Sequence, residues 1–307
     1  MNQLAKQHKT WAKFGWGIIG GLLGWGLMMS GAAAQSVGSL GPTHQVNYGR
    51  TLKRVSGQLY QVSAGKLQPQ RSLRGFNRTL WVVSKTATVT TAAGKTSTYD
   101  YVTAAGPAKR TTVKGWIRQQ DLTHPTRVAL NAPYISQQAV KAWMGCESAA
   151  LLEGLHYKGV KVHTGLVAFM KQLPRSKTNN PNNGFAGSPY RVTPGVFQSI
   201  FPKPLAKWGN RYHRVTNISG TSAAGLRAQL RLNRPVVVYV TLHFAKAQWG
   251  HYFWGKGINN SHVMLLDGYN TKTHQYHVAD PNQGKYWVSA QKFSRSYNYR
   301  HYAVAID

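Results

Sequence analysis

Cysteine and acidic side chains are what this sequence has least of: one Cys, at position 146, and seven Asp or Glu among 307 residues. A lone thiol cannot close a disulfide within the monomer, so packing alone must hold the fold. Three uses remain for Cys146: a buried inert thiol, a bridge between chains, or a nucleophile. The seven acids stand against 38 Lys and Arg, a formal net charge of +31. The excess runs through both halves of the chain, which excludes one localised docking patch as its cause and suggests general attraction to a polyanion.

Long apolar runs are scarce as well. The exception is "FGWGIIGGLLGWGLMM", preceded by Lys6, Lys9 and Lys13 and followed by "SGAAAQS". A charged start, an apolar centre and small residues read as a secretory signal over residues 1–34, cut after Ala34. The competing reading is an uncleaved anchor, but the run is shorter than the roughly 20 residues a spanning helix needs. No stable membrane span is therefore expected after cleavage. Export makes nucleic acid a poor match for the charge, and an anionic cell-wall polymer such as teichoic acid is the expected partner. A uniformly basic secretome is the plain alternative.

What is present divides into two halves. Residues 35–45 read as linker. From Val46 to Leu122, short Val-, Thr- and Tyr-rich segments such as "TLWVVSKTATVTT" and "STYDYVTA" alternate with Gly, Pro, Asn and Lys clusters. That spacing predicts a small all-β, barrel-like domain over 46–122. Its ending, "KGWIRQQDL", resembles the Gly-Trp strand ending of bacterial Src-homology-three-like and GW-type wall-attachment modules. "THPTR" (123–127) reads as the joint to the second half.

Residues 128–307 mix types and predict an α+β domain, helices first and sheet last. "CESAALLEGLHY" places Ala149, Ala150, Leu151, Leu152 and Leu155 on one broad apolar face, with Gly159 as the stop. "SAAGLRAQLRLN" reads as a second helix and "RPVVVYVTL" as a buried strand. After the aromatic loop "AQWGHYFWGKGINN", the segments "SHVMLLDGYN", "QYHVADPNQG", "YWVSAQKF" and "YRHYAVAID" read as an antiparallel meander. The aromatics of that loop suit a substrate rim or a core equally.

Cys146 opens the first of these helices, where free backbone N–H groups and the macrodipole favour an anion and so a thiolate. A thiolate needs a base, and the base needs an orienter. Of twelve histidines, His262 opens an apolar strand directly after a Gly/Asn loop, where a side chain can meet a cleft. If "NTKT" (270–273) is the following turn, paired positions sum to about 543, which sets Asp280 across from Val263 and within one residue of His262. Asp267, five residues from His262, falls on the opposite face of the same strand. Cys, His and Asp in this order match the papain-like arrangement.

Other candidate sites are weaker. His274 and His277, three apart on a strand, face opposite ways, so no metal pair and no cofactor are expected. Glu147 and Glu153 could suggest paired carboxylates, but Glu147 is explained as a first-turn residue complementing the helix dipole.

"APYISQ", "GCESAALLEGLHYKG", "RPVVVYV", "SHVMLLDGYN" and "YHVADPNQG", in this order, resemble the papain-like cysteine peptidases related to bacteriocin-leader peptidases, in their secreted stand-alone form. The resemblance implies Cys146 as catalytic Cys, His262 as catalytic His, Asp280 as its partner and Gln137 as an oxyanion-hole residue. A side-chain amide there, together with the Cys146 N–H, would lower an acyl-transfer barrier by roughly 3 kcal/mol. Leader peptidases sit on an ATP-driven transporter that this chain lacks, so leader removal is not expected. The expectation is a secreted, wall-associated cysteine hydrolase acting on a peptide substrate, peptidoglycan stem peptide among the candidates. The rival is a non-enzymatic wall-binding or adhesion protein with an inactive papain-like domain.

Overall fold

The computed structural model describes residues 36–54, 56–106 and 113–307; the expected signal segment lies outside them. The N-terminal part contains β1 (Gly38–Leu52), β2 (Gln58–Ser63), β3 (Lys66–Ser72), β4 (Trp81–Thr90), β5 (Thr96–Ala104), β6 (Lys114–Arg118) and β7 (Leu122–Thr123). These strands pair in the order β3-β2-β6-β5-β4-β1-β7, and β3 also pairs with the start of β1. The expected linker is corrected here, because residues 38–45 belong to β1. A register shift between Leu40 and Thr43 accommodates Pro42, which has no N–H to give, while His44 and Gln45 pair with Thr86 and Lys85 of β4. The Gly-Trp pair has a packing explanation. A Cβ on Gly115 would lie 2.6 Å from the Tyr60 carbonyl oxygen, and Trp116 is buried edge-on against Tyr101.

The C-terminal part contains β8 (Arg127–Ala129), α1 (Cys146–Tyr157), α2 (Leu166–Met170), α3 (Pro202–Gly209), β9 (Val215–Asn217), α4 (Ala223–Arg231) and β10 (Val236–Thr241). It continues with β11 (Trp249–Tyr252), β12 (Gly255–Ile258), β13 (Ser261–Asn270), β14 (Gln275–Asp280), β15 (Gly284–Ser289), α5 (Ala290–Tyr297) and β16 (Ala303–Ile306). The main sheet runs β15-β14-β13-β10-β16-β9, with β8 against β13. Every pairing in it is antiparallel.

Helix α1 packs on this sheet and is buried almost all round rather than on one face. A Cβ on Gly154 would run into the Ile306 side chain, so glycine is what lets the helix lie this close to β16. The meander expectation holds for β13-β14-β15 only. After β15, Ser289 caps α5 by accepting the Lys292 N–H, and Phe293 and Tyr297 turn into the core. The chain then returns to pair β16 with β10 on the other side of β13. The "aromatic loop" is a hairpin, β11 to β12.

Candidate active site

The seven carboxylates are mostly inside. Asp100, Glu147, Glu153, Asp267 and Asp280 are buried, and Asp307 is ion-paired with Arg214 and Arg234. A buried acid must be hydrogen-bonded or neutral; of these five, Asp280 touches His262 and Glu147 touches Cys146.

The register of β13 on β14 decides which of them meets His262. Asn270 pairs with Gln275 and Gly268 with His277, but Leu266 pairs with Val278 and Leu265 with Ala279. Asp267 is thus an extra residue in β13, and the turn is one residue later than "NTKT". Without this bulge Asp280 would fall opposite Leu265, on the wrong face; with it Asp280 falls level with Met264, on the face of His262. His262 Nε2 lies 2.7 Å from Asp280 Oδ1. The hairpin arithmetic from sequence therefore found the right pair through a wrong register, Val263 being on the other face.

Asp280 is held by more than His262. The Asn282 N–H donates to Oδ1 (2.9 Å) and the Tyr286 hydroxyl to Oδ2 (2.8 Å). Burial alone would raise its carboxyl, but the hydrogen bond and charge of His262, with these two donors, hold it below the ordinary value. Tyr286 went unread in the sequence. The signal was the tight "DPNQG" turn, which brings the residue six positions later back beside Asp280. Asp267 serves a different network: its Oδ1 meets His277 Nδ1 at 2.5 Å and its Oδ2 accepts the Ala132 N–H at 2.8 Å.

Cys146 and His262 line one cleft of about 340 Å³, together with Gln137, Trp143, Val192 and Leu242. The expectation of a thiol lowered by the helix start is corrected. Desolvation, and then the Glu147 charge, push the Cys146 thiol well above its ordinary value against the backbone at Val263 and Glu147. Glu147 stands in the first turn of α1, and it is buried there. Its Oε2 accepts from Sγ at 3.4 Å, and its Oε1 accepts from the Ser199 hydroxyl (2.5 Å) and the Ile200 N–H (3.2 Å).

Gln137 stands on the loop before α1, tied to the Asp280 turn by its N–H on the Pro281 carbonyl. Its amide nitrogen donates to the carbonyls of Ala142 and Trp143, both at 3.0 Å, while Oε1 is buried without a partner. Both amide hydrogens are therefore occupied, and donation to a substrate oxygen requires release from one carbonyl. Trp143, half exposed, lies on the cleft wall. Among the described residues no cluster of His, Cys, Asp and Glu is fit to hold a metal ion.

No curated protein matches the chain. Among solved structures, a Bacillus anthracis protein described as a C39-like peptidase superposes with a TM-score of 0.52 at 22% identity, covering 59% of this chain and 97% of that one. At this identity the likeness concerns the fold alone. Xylellain, a cysteine protease from Xylella fastidiosa, gives a TM-score of 0.31 at 12% identity over 60% of this chain and 86% of its own. The Peptidase_C39 like family matches residues 129–305, more than half of the chain and the span that holds the cleft, its thiol and its His–Asp pair. This chain belongs to that family.

Proposed function

We propose that the protein is a secreted, cell-envelope-associated cysteine hydrolase that cleaves a peptide or amide bond through an acyl-enzyme, with Cys146 as nucleophile, His262 as base and Asp280 as orienter. One observation supports this above the others: the chain's only thiol shares a cleft with a histidine whose far nitrogen is fixed by a buried carboxylate. Asp280 holds Nε2–H, so Nδ1 is the nitrogen left to exchange a proton. Nδ1 takes the S–H proton as Sγ attacks the substrate carbonyl. The oxyanion is met by the Cys146 N–H, one of the first-turn donors that have no partner within the helix, and by Gln137 once it leaves a carbonyl. The imidazolium then protonates the leaving amine, and water attacks the thioester with His262 again as base.

The envelope part of the reading rests on charge. With five acids buried and Asp307 paired, Asp121 alone is left to offset a surface of Lys and Arg. Exposed pairing is screened over about 8 Å at physiological ionic strength and about 3 Å at 1 M, so binding to an anionic wall polymer is released by salt. The test incubates the purified chain with muropeptides from Gram-positive walls and follows product masses. New fragments with the wild type and none with Cys146→Ser support the reading, and fragments from both contradict it. Sedimentation with walls at 0.1 M and 1 M salt tests the partner, and equal binding to walls stripped of teichoic acid contradicts it.

A further inference from the structure

Glu147 has no part in the proton path above, yet it is the carboxyl group that touches the thiol. It is buried on the first turn of α1, with Oε2 on Sγ and Oε1 fixed by two donors from the segment before α3. Because Oε1 already accepts from Ser199 and Ile200, the only oxygen left to receive a proton is Oε2, the one facing sulfur. Thiol and carboxyl thus compete for one proton, the thiol part-buried on the cleft and the carboxyl buried behind it, and a thiolate beside an ionised Glu147 would place two anions in contact.

The groups around this pair can be named. Ser199 and Ile200 face it from the segment before α3. Tyr239 faces it from β10, its hydroxyl donating to the Ile200 carbonyl, and His262 faces it from β13 across the cleft. Among the described residues no ion pair reaches Glu147. Burial raises its carboxyl above the ordinary value, and the hydrogen bond from Ser199 is the largest influence drawing it back.

We infer that Glu147 is a positioning residue that keeps the resting Cys146 thiol protonated, so that the nucleophile forms when His262 takes the proton and is not stored as a preformed ion pair. This rests on Cys146 being the nucleophile, but it can be read without turnover. Cys146 is the only cysteine, so the intact-mass adduct with iodoacetamide reports this thiol alone. Glu147→Gln keeps an oxygen for Ser199 and Ile200 and presents N–H to sulfur. Its alkylation profile is expected to move to lower pH by about one unit, roughly tenfold faster labelling at pH 6.

Ser199→Ala removes a donor that favours the ionised carboxylate, and is expected to move the profile the same way by less. It keeps the inference testable if the Gln variant does not fold, as judged by circular dichroism. A folded Glu147→Gln with an unchanged profile, or one moved to higher pH, overturns the inference. If the profile shifts while Cys146→Ser still hydrolyses peptide, Glu147's hold on the thiol proton stands, and its part in forming a nucleophile falls with the assignment of Cys146.

Discussion

Asp280 reaches His262 because Asp267 does not pair: the bulge in β13 moves the β14 register by one residue and puts the two side chains on one face, 2.7 Å apart. Two buried aspartates thereby receive different work. Asp280 orients the imidazole, and Asp267 fixes the bulge through Ala132 N–H and His277.

Asp280→Ala is expected to lower kcat by at least about tenfold, since it frees the imidazole to rotate and to change tautomer. Asp267→Asn is expected to leave kcat within a few-fold while costing roughly 1–3 kcal/mol of stability, the cost of disturbing a buried hydrogen-bonded carboxylate. Kinetics and urea unfolding of the two variants separate the roles, and the reverse pattern contradicts the assignment.

How much of this was legible depended on distance along the chain. Cys146 at a helix start, His262 at a strand start and Asp280 before a turn are local signals, and the family resemblance drew on the same segments. The bulge was not legible, because "LLDGYN" looks like an unbroken strand until Leu130, the residue after β8, gives its N–H to the Asp267 carbonyl. The contacts of Glu147 were not legible for a related reason: its partners, Ser199 and Ile200, lie more than fifty residues away, and the helix alone shows only a first-turn acid. The fourth strand of the supposed meander failed because Phe293 and Tyr297 have a helical spacing that "YWVSAQKF", cut short of Tyr297, did not display.

The pH dependence of stability should carry the mark of Glu153. Burial lifts its carboxyl well above the ordinary value, opposed by the Ile135 N–H. The unfolded chain releases this proton above about 4.5 while the folded chain keeps it, so the folded state holds more protons and its stability falls as pH rises. Relative to Glu153→Gln, the wild type is expected to lose up to about 1.4 kcal/mol per pH unit from pH 5 upward. A difference between the two that does not change with pH contradicts this.

Trp143 offers a half-exposed indole on the cleft wall, whereas Phe253, more exposed still at 75%, lies outside the cleft lining. Trp143→Ala is expected to raise KM about three- to tenfold with little change in kcat, on the scale of roughly 1 kcal/mol for an aromatic contact. Phe253→Ala is expected to change neither. Steady-state kinetics on any cleaved peptide checks both, and equal effects would mean the substrate follows another path.

The most direct measurement is the second-order rate at which a peptidyl vinyl sulfone labels the single thiol, read by intact mass in the wild type and in His262→Ala. A thiol activated by a positioned base is expected to give one adduct, on Cys146, at a rate at least about a hundredfold above that of the variant. Slow labelling at the same rate in both proteins would show that His262 does not act on Cys146, and would leave the cleft as a scaffold without the chemistry proposed for it.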